Sequence, residues 1–161
     1  MGTPEQIEGT VVGLCVRPGR RVTPEKRTEI RVSGADGVTD DHGHGPKRQL
    51  TILSREAWTA ATAVVDQPEL DWTTRRANVL VEGLDLEKLL LGGTLTLGEV
   101  TVEVLGETFP CDQMDESCAG LKNALLPETR GGVYGKILID GKITVGATAK
   151  IASEGKKKNL P

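Results

Sequence analysis

The chain has 161 residues, enough for one domain with a substantial core, because domains usually hold about 100–150 residues. Lys and Arg number 20 and Asp and Glu number 23, so the formal net charge of −3 excludes the strongly basic surface of a duplex-DNA-binding protein. Aromatic residues make up only 2% of the chain, which argues against stacking platforms for single-stranded nucleic acid. We therefore expect no nucleic-acid partner.

Short segments rich in β-branched residues alternate with glycine-containing turns, a pattern typical of strands. In chain order, the predicted strands are residues 7–16, 29–33, 49–53, 78–82, 95–97, 100–105, 137–139 and 142–145. The last two flank Asp140-Gly141, the strongest short hairpin signal, since both turn residues need a positive φ. Loops over 17–26 and 34–47 separate the first strands, and the second is long enough to indicate function or disorder.

Helical signals are few. Ser54 is a suitable N-cap, and apolar residues at helical spacing after it predict a helix over 55–65. Residues 85–90 predict one or two helical turns, and 115–125 predict a further short helix. Many short strands with one or two short helices indicate a mainly β fold, either a barrel or a sandwich.

Several features bear on compartment and domain organisation. Three cysteines without CxxC spacing fit a reducing cytosol better than a disulfide framework. No segment approaches the roughly 20 apolar residues of a membrane helix, and residues 1–10 lack the basic and apolar regions of a secretory signal. We expect a cytoplasmic protein without a membrane partner, made of a single domain over residues 1–151 and a flexible basic tail over 152–161.

Cys111 is the residue best suited to chemistry. It follows Phe109-Pro110 at the end of a predicted strand, a stiff and partly exposed position. A cysteine thiolate there can attack an electrophile or bind a soft metal; the alternative is a half-buried structural thiol. Cys118 can resolve an oxidised or persulfide form of Cys111 or be a bystander, and Cys15, within a predicted strand, is expected in the core.

Arginine-rich turns are candidate anion sites. Arg75, Arg76 and Asn78 stand at the start of a predicted strand, and Arg130 directly precedes Gly131. Guanidinium groups match the geometry of phosphate and carboxylate groups, and glycines expose backbone N–H groups. The alternative for each turn is a solvated surface loop.

The loop over 34–47 holds both histidines of the chain. His42 and His44 lie beside two carboxylates, so the loop is a weak candidate site for zinc or another divalent metal. Backbone N–H groups of the loop, together with Arg48 just after it, suit an anion instead. A solvated polar loop is the third alternative.

Several segments, in this order, resemble the MOSC domain, a family named after the C-terminal domain of molybdenum cofactor sulfurase. The resemblance extends over about residues 7–151, and its segments are 48–54 (RQLTILS), 76–86 (RANVLVEGLDL), 95–98, 100–104, Pro110-Cys111, 131–135 (GGVYG) and 141–143 (GKI). The chain departs from the family in the loop before residue 48, and at Gly146-Ala147, where members have Gly-Asp.

The resemblance implies a β-barrel of the MOSC and pyruvate-kinase-barrel type, and a role in molybdenum cofactor or sulfur handling. For Cys111 it implies either carriage of sulfane sulfur as a persulfide or direct ligation of molybdenum. Arg76 and Asn78 best match the family positions that hold the pterin phosphate. With the anion-binding turns added, the candidate cofactor-binding residues are Arg48, Arg75, Arg76, Asn78, Arg130 and Gly131.

Three functions therefore stay open at this point, and with them whether the chain is an enzyme. A sulfur carrier needs a cysteine desulfurase or another sulfur donor as its partner. A molybdenum-dependent reductase of N-hydroxylated compounds, as in amidoxime-reducing relatives, needs a redox partner, because the chain has no cysteine or histidine pattern for an iron–sulfur or haem centre. A non-catalytic module that binds an anionic small molecule leaves Cys111 incidental. The resemblance does not include the pyridoxal-phosphate-dependent module of the sulfurase, so we expect no pyridoxal phosphate on this chain alone.

Overall fold

The computed structural model describes residues 6–43 and 45–156. Within these ranges the chain forms eleven strands: β1 Glu8–Val16, β2 Glu25–Arg27, β3 Glu29–Ser33, β4 Gly37–Val38, β5 Leu50–Ser54, β6 Val79–Glu82, β7 Thr94–Leu97, β8 Val100–Glu107, β9 Val133–Ile139, β10 Gly141–Thr144 and β11 Thr148–Ser153. The described α-helices are α1 Arg55–Val64, α2 Asp112–Ser117 and α3 Leu121–Ala124, and the 3₁₀ helices are Trp72–Arg75, Leu86–Leu89 and Pro127–Thr129. None of the helices in the described ranges is long and apolar enough to cross a membrane.

Seven strands close into a barrel, in the order β1, β11, β7, β8, β9, β5, β6 and back to β1. Every neighbouring pair is antiparallel except β5 and β6, which are parallel and are joined by a connection that contains α1. The short β2 extends from β1, while β3, β4 and β10 form a separate three-stranded sheet. The predicted mainly β barrel with a few short helices is therefore confirmed.

Alternating side chains along the strands fill the barrel. In β8, Val100, Val102 and Val104 are buried, whereas the intervening Thr101 and Glu103 are partly exposed. Each fully buried aliphatic side chain of this kind contributes about 1.5–3 kcal/mol to stability. Strict alternation also fixes the register, because a slip of one residue would turn the buried face outward.

A second apolar cluster attaches the helices to the outside of the barrel. Leu53 and Leu80 point outward from β5 and β6 and pack with Trp58 of α1, Met114 of α2 and Leu121 of α3. Trp58 also donates its indole N–H to the carbonyl of Leu70 at 2.9 Å. This packing holds α2 against the barrel and so sets the position of the cysteine just before it.

The helix predicted over 55–65 is confirmed almost to the residue. Ser54 is its N-cap, and its hydroxyl accepts a hydrogen bond from the backbone N–H of Ala57 at 3.2 Å. The helix predicted over 115–125 is instead two short helices, α2 and α3. α2 ends at Ser117, and α3 begins after its N-cap Gly120, whose left-handed φ of +86° costs little for glycine.

The predicted hairpin at Asp140-Gly141 is wrong. β9 pairs with β8 and β5, while β10 leaves the barrel and pairs with β3. Asp140 accepts a hydrogen bond from the backbone N–H of Gly34 at 2.8 Å, which ties the crossing point to the smaller sheet. Gly141 does not have a positive φ, and a Cβ there would lie 2.5 Å from a carboxylate oxygen of Glu99, so that side chain would have to move.

Two predicted loops contain short strands. Residues 25–27 form β2, and residues 37–38 form β4. Both carry too few apolar side chains to show the periodic pattern of a strand, and backbone pairing with β1 and β3 holds them instead. At the other end of the chain, β11 runs to Ser153 and the N–H of Lys156 donates to the carbonyl of Leu91 at 2.9 Å. The division at residue 151 stays a prediction, and residues 157–161 lie outside the described part.

Candidate functional site

Four arginines and one cysteine line a cavity of about 230 Å³ at one end of the barrel. Each stands at the end of an element or just outside one: after β1, before β5, at and after the 3₁₀ helix before β6, and before α2. We call this space the arginine cavity, defined by Arg17, Arg48, Arg75, Arg76 and Cys111, with Thr51, Thr108, Gln113 and Gly131 among the other lining residues. None of the described residues that line it is Asp or Glu, so it favours an anion.

Arg75 is held by backbone carbonyls at the cavity wall. Its Nε donates to the carbonyl of Gly131 at 3.1 Å and its Nη2 to that of Thr108 at 2.8 Å. Burial, and then the nearby Arg48, lower the pKa of Arg75 to about 10. Gly131 is required sterically, because a Cβ there would collide with the carbonyl oxygen of Thr108.

Arg48 has an unsatisfied donor. Its Nε is buried and has no hydrogen-bond partner among the described residues, and its guanidinium carbon lies 5.3 Å from the centre of the Tyr134 ring. Burial, and then the charge of Arg17, lower the pKa of Arg48. A buried N–H without an acceptor is costly, so an anion in the cavity would supply what this guanidinium lacks.

Beneath the cavity lies a buried ion pair. Arg17 Nη2 and Asp41 Oδ2 are 2.8 Å apart, and the two side chains are 4% and 1% exposed. Asn78 is fully buried beside them: its amide donates to Asp41 Oδ1 at 3.2 Å, and its carbonyl accepts from the backbone N–H of Thr51 at 3.2 Å. These contacts fasten the loop before β5 to the barrel end.

Arg76 organises the loop after β1. Its φ of +65° is left-handed, and its guanidinium donates to the carbonyls of Val22 at 2.6 Å and Gly19 at 3.0 Å. Its own carbonyl accepts from Arg17 Nη1 at 3.2 Å. The residue therefore closes one side of the cavity while its charge adds to the positive potential.

Cys111 lies at the mouth of the arginine cavity and is exposed. It also borders a second basic space of about 530 Å³, lined by Arg20, Arg21, His42, Arg76 and Gln113. Cys118 follows α2 and is partly exposed, whereas Cys15 is in the core, as expected. Burial raises the pKa of Cys15 to about 12, and its thiol donates to the carbonyl of Ala77 at 2.8 Å.

Comparison with known proteins identifies the family. The family model for the MOSC domain matches residues 39–150. This chain belongs to the MOSC domain family. The uncharacterized protein YflK of Bacillus subtilis strain 168 is 25% identical over 165 residues, which cover 98% of this chain and 72% of that protein.

Solved MOSC-like structures share the fold of this chain. The YuaD protein of Bacillus subtilis superposes with a TM-score of 0.74 at 17% identity, covering 89% of this MOSC chain and 94% of that one. YiiM of Escherichia coli superposes with a TM-score of 0.68 at 20% identity, covering 91% and 70%. At these identities the likeness establishes the barrel. Membership of the MOSC family links the chain to molybdenum cofactor or sulfur-related function in general.

The structure brings most of the predicted site residues of this MOSC domain together. Cys111, Arg48, Arg75, Arg76 and Gly131 all line the arginine cavity.

Asn78 and Arg130 do not line the arginine cavity. Asn78 supports it from below, while Arg130 donates to the carbonyl of Ala124 at 3.1 Å and faces a different hollow. His42 borders the second basic space, and His44 lies outside the described residues. Within the described ranges no three His, Cys, Asp or Glu side chains are grouped to hold a metal.

Sequence reasoning missed several lining residues, among them Arg17, Thr51 and Thr108. Arg17 falls in the loop predicted over 17–26. Its position directly after an apolar strand could have indicated a residue at one end of the barrel. Thr51 and Thr108 gave no signal, since each lies in or beside a predicted strand and only the barrel closure turns them toward the cavity.

Proposed function

We propose that this MOSC domain binds molybdenum cofactor through its phosphate group in the arginine cavity, with the Cys111 thiol beside it. The supporting observation is the buried Nε of Arg48, which lacks an acceptor in a cavity lined by three further guanidinium groups. A phosphate oxygen would satisfy that donor, and its negative charge would offset the burial and the neighbouring guanidinium charge that lower the pKa of Arg48 and of Arg75.

The residues present fit the group. Arg48 and Arg75 would hold the phosphate, and Gly131 keeps Arg75 in place by leaving room for the carbonyl of Thr108. The sulfur of Cys111 is a soft ligand and suits molybdenum, whereas magnesium and calcium sites are built mainly from hard oxygen ligands. When bound, the cofactor supplies a redox-active molybdenum centre, and the protein would supply an anion-binding cavity and the sulfur of Cys111.

The exposure of Cys111 favours a second, compatible role as a sulfur carrier. Its thiolate attacks the outer sulfur of a donor persulfide, so that a new S–S bond forms on Cys111. The donor's own S–S bond breaks and its cysteine leaves as a thiolate, with no net oxidation or reduction. A cysteine desulfurase or a similar persulfide protein would be the donor.

Two further functions remain as alternatives. Reduction of N-hydroxylated compounds would use the same cofactor seat with an external redox partner. A non-catalytic anion-binding module would use the arginine cavity with Cys111 dispensable. Location in the cytoplasm and the absence of a nucleic-acid partner stay expectations.

The test is native mass spectrometry under non-reducing conditions, on protein purified from a host that makes molybdenum cofactor. We expect an adduct on the wild type, and its mass separates one added sulfur atom from a molybdopterin. Cys111→Ser removes a sulfur adduct and weakens retention of the cofactor, whereas Cys118→Ser, the matched control on a partly exposed thiol, leaves both.

Bare wild-type protein from that host would argue against both roles. An adduct that survives in Cys111→Ser but disappears in Arg48→Gln would support the anion-binding module and remove the cysteine from the proposal.

A further inference from the structure

A second, larger groove adjoins the arginine cavity. Its volume is about 740 Å³, within the range of about 300–1,000 Å³ that is usual for small-molecule sites. Arg48 and Phe109 line both spaces, so a molecule in the groove lies next to the cavity that holds Cys111. We call it the carboxylate groove, defined by Glu87, Leu91, Leu105, Glu107, Phe109 and Tyr134.

Apolar side chains form one part of its wall. Phe109 is 68% exposed and Leu91 is 42% exposed, although both are large and apolar. Phe109 and Tyr134 are two of only four aromatic residues in the chain. Exposed apolar groups scattered singly mean little, but their collection around one concavity marks a binding surface.

Two carboxylates form the other part. Glu107, the last residue of β8, is only partly exposed, and its carboxylate makes no hydrogen bond or ion pair within the described residues. Glu87, from the 3₁₀ helix Leu86–Leu89, accepts a hydrogen bond from the hydroxyl of Thr129 at 3.3 Å. Burial, and then the charge of Glu87, raise the pKa of Glu107. A nearby cation would give Glu107 an ion-pair partner and offset the repulsion between Glu107 and Glu87.

We propose that the carboxylate groove binds small organic cations, that is, molecules with an apolar or aromatic body and a protonated amine. The ammonium group pairs with Glu107 and Glu87, and the body packs against Phe109 and Leu105. Arg48, at the boundary with the arginine cavity, lines both spaces, so its charge would direct the ammonium group away from the guanidinium and toward the two carboxylates. If the proposed function holds, such cations are the class of molecule presented to the Cys111 site; binding itself does not depend on it.

Three probes of one shape separate charge from hydrophobicity. Benzylamine, benzyl alcohol and benzoate share the ring and differ in being cationic, neutral and anionic. We would follow the backbone amide signals of residues 105–109 and 134 by NMR during titration of each probe at neutral pH. We expect benzylamine to bind at least tenfold more tightly than either analogue, with shifts confined to the groove.

Glu107→Gln keeps the shape of the side chain and removes its charge, so it should weaken benzylamine binding at least tenfold. The matched control is Glu103→Gln, in the same strand but outside the groove, where the carboxylate pairs with Lys136 at 3.6 Å. This variant should leave the dissociation constant of benzylamine unchanged.

The outcomes separate this inference from the proposed function. Benzylamine should still bind Cys111→Ser, and inorganic phosphate should still bind Glu107→Gln. Absent benzylamine binding, equal or tighter binding of benzoate, or an unchanged dissociation constant in Glu107→Gln would each overturn the inference while leaving the cofactor seat untouched. If the wild type did not bind inorganic phosphate, that result would count against the proposed function alone.

Discussion

Arg17 and Asp41 form an ion pair that is almost completely shielded from solvent, with 2.8 Å between Nη2 and Oδ2. The carboxylate also accepts from the backbone N–H of Arg17 at 2.6 Å and of Gly43 at 3.0 Å. One side chain thereby joins the end of β1 to the loop before β5. Since Arg17 lines the arginine cavity, the pair holds one of its four guanidinium groups in place.

Removing one partner of this pair should be strongly destabilising. Asp41→Asn leaves the guanidinium of Arg17 buried without its counter-charge, and such changes cost about 3–5 kcal/mol. The neighbouring Asp40→Asn is the control, because Asp40 pairs at 3.3 Å with Arg27 on the surface, where side chains are 63% and 34% exposed. A surface pair contributes about 0–1 kcal/mol. Urea unfolding measures both variants, and equal losses would contradict the assigned role of Asp41.

The same pair predicts a pH dependence. Burial alone raises the pKa of Asp41, but the hydrogen bonds and charge of Arg17 lower it by more, so the net pKa lies below its ordinary value. A carboxyl whose folded pKa is lowered stabilises the fold above its unfolded pKa, about 3.9, and loses this contribution as the pH falls through the folded value. The stability difference between wild type and Asp41→Asn should therefore be constant from pH 7 to about 5 and shrink below about pH 4. A difference independent of pH down to 2 would contradict the lowered pKa.

The arginine cavity should bind a simple anion. Inorganic phosphate is expected to raise the melting temperature of the wild type, because a ligand that binds only the folded state stabilises it. Arg48→Gln should weaken phosphate binding about 10- to 100-fold, the equivalent of one charge-assisted hydrogen bond of about 1.5–3 kcal/mol. Without phosphate this variant should be no less stable than the wild type, since burial and Arg17 lower the pKa of Arg48 and so oppose its charged form. Arg31→Gln, on an exposed position of β3, is the control and should change neither quantity.

Gly131 should matter for its size. A methyl group in Gly131→Ala collides with the carbonyl of Thr108 and displaces both acceptors of Arg75, so we expect a loss of about 1–3 kcal/mol and weaker phosphate binding. Gly92→Ala is the matched control: its φ of +87° is strained for alanine, yet a Cβ there meets nothing within 4 Å. It should cost about 1–2 kcal/mol and leave phosphate binding intact. Unchanged phosphate affinity in Gly131→Ala would show that Arg75 does not depend on this contact.

The sequence predicted those features of the fold that arise between residues close together in the chain. The alternation in β8 can be recognised because every second residue faces the core, and the cap at Ser54 because its partner, Ala57, is three residues away. The hairpin at Asp140-Gly141 failed because a turn signal cannot show which strands will pair. The register of β10 with β3 joins residues more than 100 positions apart.

Contacts between residues far apart in the sequence also limited the prediction of the site. Cys111 and Arg75 could be singled out by residue type and by their position at strand ends. Arg48 and Arg130 look alike in sequence, since each stands beside a glycine-containing loop or turn. Only tertiary packing turns Arg48 into the arginine cavity and Arg130 toward the end of α3. Asn78 is predicted as a cofactor-binding residue. In the structure it is fully buried and supports the site indirectly, through a hydrogen bond from its amide to Asp41.

The three thiols should react at three distinct rates. Cys111 is exposed at the cavity mouth and should be modified first by a thiol reagent such as 5,5′-dithiobis(2-nitrobenzoic acid). Cys118, partly exposed after α2, should follow more slowly. Cys15 is buried, its pKa is raised to about 12, and its thiol is bonded to the carbonyl of Ala77, so it should react only after denaturation.

Counting thiols over time at pH 8, with Cys111→Ser and Cys118→Ser to assign the phases, checks this order. Bound phosphate gives a further check, because an anion in the arginine cavity should slow the attack of Cys111 on the doubly negative reagent and leave Cys118 unaffected. A Cys118 phase slowed as strongly as that of Cys111 would show that the effect is general ionic screening, which sodium chloride of equal ionic strength would reproduce.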